Sequence, residues 1–185
     1  MTKWGHLLTS TGFGILGYRA LVGANPELSV VQTLDWFAAA GARGDLSNAP
    51  QTAFAMACAG GVIAGSLAPD RMEFPLFGRL FGRVSLIPHR TLTHSPWLWV
   101  AFLFAGLVAI RQTHAWGLLF AWQWVGFSVS GLLHLIIDMG SMSGIPLANP
   151  FGQRYSLSLY QTGGLREVGY AVAIGGGTGL LGWFF

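Results

Sequence analysis

The stretch His89-Arg90-Thr91-Leu92-Thr93-His94-Ser95-Pro96 lies between two apolar runs in a chain that is only 9% charged. Two imidazoles with an arginine between them are typical of a site that holds a metal ion and an anion. Ser95 and Pro96 predict a helix start, because serine is a favoured N-cap and proline fits the first helical position. The free N–H groups at that helix end would provide an anion-binding position beside His94.

The composition predicts an integral membrane protein. The chain has 185 residues, is 52% hydrophobic and has a mean hydropathy of +0.53. Its formal charge of +3 comes from basic residues that cluster beside apolar segments. This arrangement favours membrane lipid headgroups as partners, and we expect no nucleic-acid partner.

Five apolar segments predict an all-α, polytopic membrane bundle that forms a single domain over residues 1–185. The predicted crossings lie near residues 6–23, 52–68, 96–110, 115–138 and 168–185. The second should stop at Pro69-Asp70, because proline terminates helices. Between the first two, apolar residues repeat at helical spacing around Asp35, whose charge argues against a crossing. That segment predicts an amphipathic helix lying in the membrane interface.

Polar residues at the ends of these segments are the candidate metal ligands. His134 and Asp138 are spaced i and i+4, which places both side chains on one helix face. Such a pair either joins helices as a satisfied polar contact or ligates a metal. The full set of candidate ligands is His6, Asp70, His89, His94, His134 and Asp138.

Charge bias predicts which side of the membrane carries the site. Five crossings place the N-terminus and the 69–95 and 139–167 loops on one side, together with Lys3, Arg71, Arg79, Arg83, Arg90, Arg154 and Arg166. The opposite side carries Arg43 and Arg111, so the first side should be cytoplasmic. The candidate ligands fall on that same side, whereas His114 does not.

The ligand set predicts hydrolytic chemistry. Histidine and aspartate suit zinc or manganese, and their number fits two divalent ions or one ion with a catalytic acid or base. Such centres cleave phosphoesters, and Arg90 could bind a phosphate oxygen. We expect a substrate phosphoester on a lipid or on a small molecule near the membrane.

Four motifs resemble the bacterial inner-membrane metal-dependent hydrolase family, some of whose members are controlled by the SOS repressor. They are Gly5-His6-Leu7-Leu8, Leu67-Ala68-Pro69-Asp70, His89 to Ser95, and His134-Leu135-Ile136-Ile137-Asp138 with the following Gly144-Ile145-Pro146-Leu147. The resemblance runs from about residue 4 to residue 157. It implies a multi-helix inner-membrane protein and a metal-dependent hydrolase with an undefined substrate.

The chain departs from this family pattern after Asp70. The family usually has a second acid two residues later, where this chain has Met72 followed by Glu73. Either Glu73 substitutes for that acid, or one metal position is weakened. With this resemblance, Asp70, Glu73 and Arg90 are the predicted catalytic residues.

Two other functions stay open at this point. Intramembrane histidine and aspartate also mark ion pathways, which would make the protein a metal or proton transporter. The same ligands could instead hold helices together in a non-catalytic membrane scaffold with a structural metal site.

Overall fold

The computed structural model describes residues 2–22, 35, 38–39, 51–72, 91–114 and 116–184. Five long helices account for most of them: α1 (Lys3–Val22), α2 (Gln51–Arg71), α3 (Pro96–Gln112), α4 (Trp116–Gly140) and α5 (Leu165–Phe184). A short 3₁₀ turn, Leu92–His94, precedes α3. Two short antiparallel strands, β1 (Ile145–Pro146) and β2 (Arg154–Tyr155), follow α4 and add a small sheet to the predicted all-α fold.

The main contacts between helices follow the order α5, α1, α2, α4, α3. α4 packs along α2 on one side and α3 on the other, while α1 packs against both α2 and α5. α1 also makes a smaller contact with α4, so α1, α2 and α4 pack against one another. The start of α1, the end of α2 and the end of α4 therefore lie at the same end of the bundle.

Glycines allow the backbones of the central helices to approach closely. A Cβ on Gly126 of α4 would collide with the Cys58 carbonyl of α2, and one on Gly61 would collide with the Gln123 carbonyl of α4. α1 and α5 meet in the same way at Gly12 and Gly175. Small residues at helix contacts are typical of membrane bundles, where van der Waals packing drives association.

One predicted helix end is wrong. α2 does not stop at Pro69-Asp70 but continues to Arg71, with Pro69 inside the helix. Proline has a helical φ and removes one backbone hydrogen bond, but the helix continues past it, and the amide of Met72 bonds the Ala68 carbonyl. Asp70 therefore lies on the last turn of α2. Ser95 and Pro96 do start α3 as predicted, although the Ser95 side chain makes no capping hydrogen bond.

Within the part of the chain that the structure describes, two helices are long and apolar enough to cross a bilayer, namely Ala53–Arg71 of α2 and Trp116–Gly140 of α4. α3 is apolar but shorter than this limit. Five crossings therefore stay a prediction. The predicted interfacial helix lies largely outside the described residues, of which only Asp35, Ala38 and Ala39 fall in that segment, each helical.

Candidate metal centre

Five of the six predicted ligands meet at one end of the bundle. They come from α1, the end of α2, the 3₁₀ turn and the end of α4: His6, Asp70, His94, His134 and Asp138. All are buried except Asp70, which is 22% exposed. His89, Glu73 and Arg90 lie outside the described residues, so their predicted roles stay predictions.

Four of these residues place donor atoms at distances that suit one metal ion. Nε2 of His94 lies 3.4 Å from Oδ1 of Asp70 and 3.6 Å from Oδ2 of Asp138. Nε2 of His134 lies 3.8 Å and 3.6 Å from the same two oxygens. All four donor atoms lie within 4.8 Å of one another. Ligands of a tetrahedral zinc ion, with bonds of about 2.0–2.1 Å, lie about 3.4 Å apart, so this set fits such an ion.

A hydrogen bond fixes the orientation of the His134 ring. Its Nδ1 lies 2.7 Å from the Ser66 carbonyl oxygen, which can only accept a proton, so Nδ1 donates. The lone pair is then on Nε2, which faces the two carboxylates and makes no hydrogen bond to any described residue. Metal-ligating histidines almost always have such a carbonyl or carboxylate partner on the other nitrogen. The His134 ring is therefore oriented as a ligand.

His6 extends the cluster on the other side of Asp138. Its ring stacks on His134, with centroids 3.6 Å apart and planes 8° apart. Its Nε2 lies 3.2 Å from Oδ1 of Asp138, while Oδ2 faces His94 and His134. Neither nitrogen of the buried His6 ring hydrogen-bonds a described residue. His6 can therefore support Asp138 or serve as a ligand of a second ion.

Trp99 positions the turn that carries His94, a role that the sequence did not predict. Its indole Nε1 donates to the Thr93 carbonyl over 2.7 Å, and the side chain is fully buried. The ring packs on Gly131 of α4, where any Cβ would collide with it. Tryptophan in an apolar run is ordinarily a lipid-facing or core residue, so the pattern gave no signal for this contact.

Glu167 fixes the start of α1, and the sequence did not predict this role either. The carboxylate is buried and accepts hydrogen bonds from the Thr2 amide (2.5 Å) and the Gly163 amide (2.6 Å). Thr2 precedes the first turn of α1, which carries His6. Glu167 therefore ties that turn to the start of α5.

Glu167→Gln should destabilise the protein, because glutamine has one oxygen for two amide donors and leaves one of them facing an NH₂ group. A hydrogen bond to a charged group contributes about 1.5–3 kcal/mol, and both of these bonds are partly buried. Thermal unfolding in detergent should show a lower Tm than wild type. Arg166→Gln, at the exposed neighbouring position, is the control and should unfold like wild type. Equal Tm values for the two variants would contradict the role of Glu167.

The carboxylates of Asp138 and Asp70 raise the pKa of the His94 imidazole. Burial lowers the pKa of His94, but hydrogen bonding to Asp138 and Asp70 outweighs burial and raises the pKa above its usual value. In the metal-free protein His94 therefore adds stability at low pH that is lost as the pH rises through the raised pKa. A metal ion needs the neutral imidazole, so protons compete with the metal as the pH falls.

Metal affinity should accordingly rise with pH. We expect zinc to bind at least about tenfold more tightly near pH 7.5 than near pH 5.5, with release of protons. Competition with a chromogenic chelator at both pH values measures the change. His114→Gln, which removes an exposed histidine at the far end of the bundle, should leave the pH dependence intact. Affinity that does not change with pH would argue against histidine ligation.

The chain is similar to a known family of membrane proteins over most of its length. The family model described as YdjM inner membrane protein matches residues 1–174. The chain belongs to this family. The match includes all six predicted ligands and confirms the resemblance seen in the motifs. The family description names a membrane location and no reaction. Searches of curated proteins and of solved structures found no match.

Proposed function

We propose that this YdjM-family protein is a metal-dependent hydrolase that cleaves a phosphoester at the cytoplasmic face of the inner membrane. The main support is the convergence of two imidazole nitrogens and two carboxylate oxygens within 4.8 Å of one another. Two carboxylates and two neutral imidazoles balance the charge of one divalent cation, with zinc or manganese as the best fit. A bound cation would polarise a phosphoryl oxygen and activate water.

Asp70 is the residue best placed to act on the substrate. It is the one donor of the four that is partly exposed, whereas His94, His134 and Asp138 are buried. A substrate would therefore approach on the Asp70 side. With Oδ1 facing the histidines, the second carboxylate oxygen of Asp70 would take a proton from the attacking water. Glu73 and Arg90 lie three and four residues in sequence from Asp70 and His94, respectively, and are proposed to act with Asp70.

Exposed tryptophans support a centre at the level of the lipid headgroups. Trp4 and Trp97, 80% and 63% exposed, lie beside the segments that carry His6 and His94. Trp116 lies at the opposite end of α4, about 30 Å from Ile136 at the helical rise of 1.5 Å per residue. This separation matches the hydrocarbon thickness of a bilayer, about 30 Å, and tryptophan is enriched at both interfaces.

Described basic residues support the cytoplasmic orientation. Lys3, Arg71 and Arg166 lie at helix ends on the side of the metal centre, whereas Arg111 lies at the other end of the bundle. An excess of lysine and arginine is typical of cytoplasmic loops.

Elemental analysis paired with a phosphoester screen tests this function. The detergent-purified protein should contain about one or two equivalents of zinc or manganese per chain. It should release phosphate or alcohol from a panel of lipid and soluble phosphoesters, and His94→Ala should lose both metal and turnover. Turnover that persists in metal-free protein, or in His94→Ala, would contradict a metal-dependent reaction.

A structural metal site is the second candidate, and the burial of the ligands favours it. His6, His94 and His134 are all 0% exposed, as in sites that hold helices together. This function predicts bound metal without turnover on any phosphoester, and a large loss of stability on chelation. Retained turnover in Asp70→Asn at full metal content would contradict the catalytic role of Asp70 and would count against a purely structural site.

A further inference from the structure

An apolar groove runs along the bundle between α1 and α2, on the membrane side of the metal centre. This groove, of about 560 Å³, is called here the α1–α2 groove and is lined by Ser10, Thr11, Gly14, Ile15, Tyr18, Ala59, Val62 and Ile63. A second cavity of about 280 Å³ shares Gly14, Tyr18, Ala59 and Val62 and reaches Gly126 of α4. Ligand pockets typically have volumes of about 300–1,000 Å³, so the groove is large enough for part of a lipid chain.

The groove begins one helical turn from the metal centre. Ser10 at its upper end follows His6 by four residues on α1, and accepts a hydrogen bond from Ser130, four residues before His134 on α4. From Ser10 to Tyr18 the groove extends about 12 Å deeper along α1 at 1.5 Å per residue. It therefore leads from the level of the metal ligands towards the middle of the bilayer that α2 is apolar enough to cross.

The lining favours a hydrocarbon chain over a polar ligand. The two hydroxyl groups at the upper end already have partners, because Thr11 donates to the Leu7 carbonyl (2.7 Å) and Ser10 bonds Ser130 (3.3 Å). The remaining walls are glycine, alanine, valine and isoleucine, with Tyr18 at the deep end. Ile15 and Ile63 are exposed, so the groove opens sideways, where a lipid chain could enter from the bilayer.

We propose that the α1–α2 groove binds the acyl chain of a lipid whose phosphoester lies at the metal centre. The substrate is then a long-chain lipid phosphoester rather than a water-soluble one. This inference rests on the proposed function, since the metal centre defines where the phosphate lies. Ser10 lies one helical turn from His6, so the acyl chain would begin next to the phosphate headgroup, as it does in an intact lipid.

Lipid retention in nanodiscs tests the groove with a matched pair of substitutions. Gly14→Leu fills the groove, since a Cβ there already lies 3.5 Å from Val62 Cγ1. Gly60→Leu is the control, because a Cβ at Gly60 meets open space on the outer face of α2. The probe is palmitoyl lysophosphatidic acid in phosphatidylcholine nanodiscs, counted by native mass spectrometry, with glycerol 3-phosphate as the competitor that lacks a chain. Ala59→Leu is a second groove variant if Gly14→Leu does not fold.

Wild type and Gly60→Leu should retain the lysophosphatidic acid, and glycerol 3-phosphate should not displace it. A groove variant should bind it about tenfold more weakly, which corresponds to displacing about two methylene groups, while keeping its metal. Equal retention by the groove variants and the control, or displacement by glycerol 3-phosphate, would overturn the proposal. Groove-dependent retention without any turnover would contradict the hydrolase function alone, and turnover insensitive to groove filling would contradict the groove alone.

Discussion

Asp138→Asn should lower the affinity for a divalent metal at least about 100-fold, since losing even an outer-shell partner costs about 10–100-fold. Asp138 contacts all three histidines of the cluster, since its two oxygens lie 3.2–3.6 Å from nitrogens of His6, His94 and His134. Asparagine keeps the shape of the side chain but removes the negative charge that offsets the cation. Zinc affinity from chelator competition and metal content after purification measure the effect.

Asp35→Asn is the matched control, because it makes the same change at an exposed helical position. It should keep wild-type metal content. The Asp138→Asn protein should still fold, which circular dichroism checks, because the amide can donate to a histidine nitrogen. Wild-type metal affinity in folded Asp138→Asn would rule out this carboxylate as a ligand.

Gly126→Val should have the largest effect on stability. A Cβ at this position would collide with the Cys58 carbonyl, so α2 and α4 would have to separate over their whole contact. Overpacking of this kind costs about 1–3 kcal/mol, and more where a backbone must move. A cost of about 3 kcal/mol lowers Tm by about 6–12 °C in a chain of this size. Thermal unfolding in detergent measures the shift.

Gly60→Val is the comparison for this stability effect, since it places the same side chain on α2 where a Cβ meets open space. Its Tm should stay within about 1–2 °C of wild type, as expected for a surface change. If both variants unfold at the wild-type temperature, α2 and α4 do not meet at these glycines.

The sequence predicted most of the helices, and all five residues that meet at the metal centre were among its six candidate ligands. The pairing of His134 with Asp138 follows from the helical period alone, and the start of α3 follows from serine and proline chemistry. The end of α2 was mispredicted because a proline weakens a helix without always ending it, and α2 runs two residues past the buried Pro69. The short β1–β2 pair has only two residues in each strand and leaves too little alternation for a pattern to indicate it.

Contacts between distant residues could not be predicted in the same way. The stacking of His6 on His134 depends on how close α1 lies to α4, and that distance is set by glycines that pack by shape. The bond from His134 to the Ser66 carbonyl has no signal at all, because every residue offers a carbonyl. Trp99 holds the turn that carries His94, and Glu167 holds the start of α1, through tertiary contacts that residue type alone does not indicate.

X-ray absorption at the zinc edge of the purified, metal-loaded protein tests whether the histidine and aspartate side chains of this cluster hold the metal. We expect a first shell of nitrogen and oxygen at about 2.0–2.1 Å, with the outer-shell scattering of about two imidazole rings and no sulfur. In Asp138→Asn that signal should be lost with the metal. A sulfur shell at about 2.3 Å, or a fully hydrated ion without imidazole scattering, would show that His94 and His134 do not hold the metal.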